Sequence, residues 1–175
     1  LDARRERARW EEYVEEFAEL LSAGVRRCLG GVERVGVLMS GGLDSTPIAA
    51  LAARHLPQRG GRPAVTALSW RVSDSRGDER ELIRRMADQT GIEVEWIDCD
   101  DAVPFSNLAE WPVHPATPEQ TAFRWFHQRS YARAAELGLQ VVLSGFCGDA
   151  LYVSARGWAW DLLAAAGPGR TIDRL

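Results

Sequence analysis

The sequence contains no lysine; apart from three histidines, its basic side chains are all arginines. A phosphate loop of the Walker kind needs a lysine ammonium on the phosphates, so that class is excluded. Cysteine is scarce as well. Cys28, Cys99 and Cys147 lie far apart and form no CxxC pair, which indicates neither a disulfide framework nor a zinc site. A reducing cytoplasm is the simplest home for such a chain. Long hydrophobic runs are missing: Val141–Leu143 and Leu162–Ala166 are far too short to cross a bilayer, so no membrane role is expected. The start, Leu1-Asp2-Ala3-Arg4-Arg5-Glu6, lacks the apolar core of a signal peptide. Because it begins without methionine, the chain reads as part of a longer gene product or as trimmed. Excess positive charge is absent too. A net charge of −4 offers no general attraction to nucleic acid, and no nucleic-acid partner is expected.

What is there suits one α/β domain. With 175 residues, 46% of them hydrophobic, the chain can bury a real core. Residues 3 to 29 carry apolar side chains at three- and four-residue spacing (Trp10, Tyr13, Val14, Phe17, Leu20, Leu21, Val25, Cys28), the pattern of an amphipathic helix stopped by Gly30-Gly31. Short apolar runs at 35–39, 64–70, 92–97 and 140–143 read as strands. Helices are expected at 45–56, with Pro47 in the first turn, at 78–89, ended by Gly91, and from Thr117 or Pro118 to about Leu137. Residues 99 to 117 hold three prolines and read as a long loop, and 158–166 as a further helix. Strands alternating with helices predict a parallel sheet flanked by helices, Rossmann-like, with a leading N-terminal helix. The expected division is 1–33 for that helix and 34–175 for the domain proper, cut short at its C-terminus.

Ligands of such sheets bind beyond the carboxyl ends of the strands, at a topological switch point. Two glycine-containing loops follow strands directly. The first, Ser40-Gly41-Gly42-Leu43-Asp44-Ser45, is built as a phosphate cradle. Its glycines let consecutive amides turn toward one anion, and the helix behind adds partial positive charge. Ser40 and Ser45 supply hydroxyl donors. Asp44 would repel a phosphate directly, yet fits Mg²⁺ bridging phosphate oxygens. The alternative is a tight turn capped by Ser45 or Asp44 with no ligand.

This hexapeptide resembles the PP-loop, Ser-Gly-Gly-x-Asp-Ser, of the ATP pyrophosphatase superfamily. Its members have the adenine nucleotide α-hydrolase-like fold and cleave ATP between the α and β phosphates. Three features resemble the asparagine synthase branch in particular: the amphipathic helix leading into the loop's strand; Ala67-Leu68-Ser69-Trp70 followed by Asp78-Glu79; and Val141-Val142-Leu143-Ser144-Gly145-Phe146-Cys147-Gly148-Asp149-Ala150-Leu151-Tyr152, similar to the family's Val-Leu-Ser-Gly-x-Gly-Gly-Asp-Glu-Leu-Phe. Together they span about residues 10 to 155. The resemblance implies ATP and Mg²⁺ as cofactors. Leu38 and Trp70 would frame the adenosine through their backbones, and Ser144 and Gly145 would line its other side. Asp44 and Asp149 would hold Mg²⁺ on the pyrophosphate; taken alone, Asp149 reads rather as a helix N-cap, and the pairing with the first loop favours the metal role.

The departures narrow the activity. Phe146 and Cys147 stand where the family has an acidic residue and then glycine; β-lactam synthetases carry a tyrosine at the first of these. Ala150 replaces the usual glutamate, and the family's Asp-Glu-Pro segment is not recognisable in Trp111-Pro112-Val113-His114-Pro115. The family's lysine is expected beyond the end of this chain, and the family's glutaminase domain is not recognisable in these residues. No catalytic residue is assigned. The expectation is an AMP-forming ligase that adenylates a small-molecule or peptide carboxylate for amide formation, as in lasso peptide cyclases and other natural-product ligases. A separate amidotransferase or peptide-delivery partner would fit, and a homodimer is left open. The alternatives are a degenerate ATP-binding scaffold subunit, or another PP-loop branch such as tRNA modification. His55, His114 and His127 read as surface or packing residues, Cys147 as a small buried one, and Arg26-Arg27 and Arg84-Arg85 as solvated helix faces.

Overall fold

A computed structural model describes residues 9–56, 64–73, 79–101 and 124–148. The elements run α1 (Trp10–Cys28), β1 (Val35–Leu38), α2 (Ser45–His55), β2 (Val65–Arg71), α3 (Arg80–Thr90), β3 (Glu93–Asp98), α4 (Arg124–Glu136) and β4 (Val141–Ser144). The chain divides into two compact units: Ser22–Gly145, which holds the sheet, and Leu1–Leu21 with Phe146–Leu175. In the second unit, the described first turns of α1 expose Trp10, Val14, Phe17 and Leu20. The expected helix at 158–166 and most of the proline-rich loop lie outside the described residues, as does the expected start of α4.

All the pairings are parallel, in the order β3-β2-β1-β4. The apolar runs read as strands therefore form the parallel sheet their sequence called for. Side chains alternate between its faces with period two. Val35 and Val37 of β1 with Met39 just after it, Val65 and Ala67 of β2, and Val94 and Trp96 of β3 join one core with Ala49 and Ala52 of α2, Ile83 and Met86 of α3, Val25 of α1 and Leu29 just beyond it. Leu68, Trp70, Ile97 and Val142 face the other way, onto Phe126 and Ala134 of α4. Val35 and Val37 have no exposed surface; burying each contributes about 2 kcal/mol. Helices on both faces are what continuous apolar strands require. No helix among the described residues is long and apolar enough to cross a membrane.

Chain order rises one way from β1 (β2, then β3) and turns the other way for β4, so the switch point lies between β1 and β4. Their starts are tied by Gln140, whose Oε1 accepts from the amides of Glu33 and Arg34 and whose own amide donates to Arg34 O. That fixes the register from Val35↔Val141 to Leu38↔Ser144. With strands of equal length in this register, the loops after Leu38 and Ser144 leave the sheet side by side.

Candidate functional site

The first loop opens with Met39, whose amide still bonds to Leu68 O while its carbonyl accepts from the Ser69 hydroxyl. Ser40 is exposed, and its amide donates to Ser45 Oγ at 3.2 Å. The two hydroxyls lie 3.3 Å apart, and the Gly42 amide reaches Ser40 Oγ at 3.4 Å. Gly41 has φ +77°, a left-handed conformation that favours glycine. A side chain there would also meet Glu79, Leu82 and Ile83 at 3.3–3.4 Å, so the loop lies against the start of α3 as well as of α2. Two helix N-termini thus adjoin the glycine pair, and both favour negative charge nearby.

Asp44 is already helical (φ −82°, ψ −44°), and its side chain makes no capping hydrogen bond to α2. Thr46 N donates instead to Gly42 O, extending the first turn back into the loop. The helix therefore starts without using the carboxylate, which sits half-buried at its mouth. Leu43 points outward, 93% exposed. Ser45 is buried, its hydroxyl holding the turn closed.

The second loop touches the first. A Cβ built on Gly145 would lie 2.8 Å from both the carbonyl carbon and the Cβ of Asp44, and 2.9 Å from Ser45 N. Only hydrogen fits at that point. Ser40, Gly41, Gly42, Asp44, Ser45, Ser144 and Gly145 thus lie together at the ends of β1 and β4, with Leu38 closing β1 beneath them.

Trp70 is set apart from this group by its side chain. Its indole donates to Ser130 Oγ at 2.7 Å and packs on Phe126 and His127 of α4, at centroid distances of 5.0 and 5.3 Å. What Trp70 offers the carboxyl edge is its main chain. Asp149 lies outside the described residues, as do Ala150 and His114. Among the described residues no group of three or more histidine, cysteine or acidic side chains is arranged to hold a metal. Magnesium at phosphate sites is commonly held by one or two carboxylates plus phosphate oxygens and water, so the loop residues fit that role without a protein cage.

The expected packing roles hold for two histidines: His55 bonds Ser22 Oγ at 2.9 Å, and His127 stacks on Tyr131. Arg84 and Arg85 are exposed, one over the Trp96 ring and the other paired with Glu81. The expectation for Cys147 is corrected. It is exposed, with φ +67°, because it occupies a left-handed turn position that burial and compactness do not govern. Phe146 beside it is 81% exposed. The buried thiol is Cys99, its pKa raised by burial.

Sequence reading missed a set of carboxylate clamps at the ends of β2 and β3. Asp98 accepts two bonds from Arg71; Asp100 accepts from the amide and hydroxyl of Ser73; Asp101 accepts two bonds from Arg129, which also donates to Asp98 O. These bonds hold all three carboxyl groups below the usual carboxylate range.

A parallel sheet with a glycine-rich serine loop at its switch point, and a second glycine loop pressed against it, defines a PP-loop domain. The asparagine synthase family model matches residues 16–165, and the chain belongs to that family. No curated protein matches significantly. The fold is similar to that of an NH3-dependent NAD synthetase from Campylobacter jejuni (TM-score 0.51, 18% identity, covering 73% of this chain and 54% of that one). It is also similar to an NMN synthetase from Francisella tularensis (TM-score 0.50, 21% identity, covering 73% and 52%). The chain thus spans about half the length of these structures. It is an asparagine synthase-like PP-loop domain, of a family whose chemistry is ATP-dependent amide formation.

Proposed function

We propose that the chain is the nucleotide-binding part of an AMP-forming ligase that adenylates a carboxylate for amide-bond formation. The observation that carries this is the contact of Gly145 with Asp44 and Ser45, which joins the two loops at the switch point. ATP would lie with its pyrophosphate on the amides of Gly41, Gly42 and Ser45, between two helix N-termini. Its adenosine would lie along the main chain of Leu38 and Trp70 on one side, and of Ser144 and Gly145 on the other. Asp44, with Asp149, would hold Mg²⁺. Such an ion would supply positive charge to offset that of the pyrophosphate.

In the first step a carboxylate oxygen attacks the α phosphorus, the bond to the bridging oxygen breaks, and pyrophosphate leaves into the loop. Main-chain amides held in place by the folded loop would stabilise the leaving group's charge with little reorganisation. In the second step an amine attacks the acyl carbon and AMP departs. Phe146 can neither transfer a proton nor donate a hydrogen bond, which sets the chain apart from direct asparagine synthesis. The acyl substrate in this reading bears its own amine, as in natural-product or lasso-type ligation.

The test is ATP–pyrophosphate exchange by the full-length protein with a panel of carboxylates and peptides. Exchange stimulated by one class supports the reading and names the acyl donor; no exchange across the panel argues against it. A second reading, an ATP-binding scaffold, is favoured by Phe146 and Ala150. It is distinguished by MgATP binding without any AMP produced.

A further inference from the structure

β2 outruns β1. The last paired residue of β1, Leu38, faces Leu68, and only Met39 N continues the ladder. Strand β2 goes on through Ser69, Trp70 and Arg71 beside Trp96, Ile97 and Asp98, and Cys99 N still bonds to Arg71 O. Three residues of two-stranded ribbon, about 10 Å, therefore project past β1 toward the loop edge. Its cover on one face is α4, through Trp70 and Ile97, since two strands alone are marginal in water.

The carboxylate clamps sit on this overhang. Arg71 and Asp98 are the facing ends of β2 and β3, Ser73 and Asp100 lie two residues further on, and Arg129 ties the turn after β3 to α4. Trp70, inside the overhang, is pinned by its indole to Ser130. The clamp residues are too exposed to carry global stability: Arg71 is 42% and Asp98 60% exposed, and Asp101 72%. Exposed pairs contribute little to stability. What bidentate geometry does provide is fixed orientation. It also engages Arg71 and Arg129 with carboxylates, leaving the phosphates to amides, hydroxyls and the metal.

We propose that Arg71, Ser73 and Arg129, through Asp98, Asp100 and Asp101, are positioning residues that hold the overhanging main chain of Trp70 where the adenosine is read. This rests on the nucleotide reading above. The clamps act on the nucleoside half of the ligand and leave the pyrophosphate half alone.

Calorimetric titration of the full-length protein with MgATP and, separately, with magnesium tripolyphosphate tests this. The Asp98→Asn/Asp101→Asn variant is expected to bind MgATP more weakly, by about five-fold for each clamp lost, with tripolyphosphate affinity unchanged. The charge-swapped pair Arg71→Asp with Asp98→Arg is expected to regain most of the affinity that Arg71→Asp alone loses. The proposal is overturned if both ligands weaken together, or if MgATP affinity does not change. Wild-type protein that binds neither ligand sinks the nucleotide reading itself, and the clamp's role with it.

Discussion

Replacing Gly145 with alanine adds one methyl group where the two loops meet. That methyl would lie 2.8 Å from two carbons of Asp44 and 2.9 Å from the amide nitrogen of Ser45, well inside van der Waals contact. None of these atoms is the far end of a flexible side chain, so relief requires backbone movement of roughly 0.5–1 Å to restore ordinary carbon contacts. If the loops resist, overpacking costs about 1–3 kcal/mol of stability. If they yield, the amides of Gly41, Gly42 and Ser45 move relative to the second loop, and a displacement near 1 Å at a ligand cradle costs on the order of 100-fold in function. Thermal unfolding by circular dichroism reads the first outcome and MgATP calorimetry the second. The expected result is at least a ten-fold loss of MgATP affinity, with a melting temperature at most a few degrees lower. A Gly145→Ala protein with wild-type stability and wild-type affinity would refute the contact and the site built on it. Gly24→Ala is the control. Nothing lies within 4 Å of a Cβ there, and the position is inside α1, so stability should rise by up to about 1 kcal/mol with nucleotide affinity untouched.

Other outcomes follow from the same structure. Ser130→Ala removes the acceptor of the Trp70 indole at a fully buried position, and chemical denaturation should show a loss of about 1–2 kcal/mol. Cys147→Gly relieves a left-handed backbone at φ +67°; it is expected to stabilise the protein by about 1 kcal/mol, read as a higher denaturation midpoint. Asp98, Asp100 and Asp101 have folded-state pKa values below their unfolded ones. Their contribution is therefore complete above the unfolded value of about 4 and is lost as pH falls through the lowered values. Side-chain carboxyl shifts followed by NMR from pH 5 down to 2 should show all three titrating below that unfolded value, with Arg71→Gln moving Asp98 back toward it.

The sheet and its first loop were legible because their physics is local. Val35 to Leu38 had to be buried on both faces, and a run of serine and glycine opening a helix has few uses besides an anion. The meeting of Gly145 with Asp44 was foreshadowed by both loops following strands, but the contact needs the β1–β4 register, which Gln140 fixes from 106 and 107 residues away. The clamps left no comparable trace. Arg71 and Asp98 are 27 residues apart and Arg129 and Asp101 are 28 apart, so no periodicity relates them; an arginine ending one parallel strand and an aspartate ending the next was the available signal. Cys147 was misjudged because residue type speaks to burial on average, whereas a left-handed turn position answers to backbone geometry. The indole of Trp70 turned to α4 because Ser130 and Ala134 are small enough to admit it.

Backbone amide chemical shifts followed by NMR during MgATP titration probe the central claim most directly. Saturable shifts are expected at Gly41, Gly42, Ser45 and Gly145, abolished by Asp44→Ala, with amides at the opposite edge, near Arg34 and Gln140, unmoved. Saturable shifts that bypass these loop amides, or no shifts at any magnesium nucleotide concentration, would contradict it.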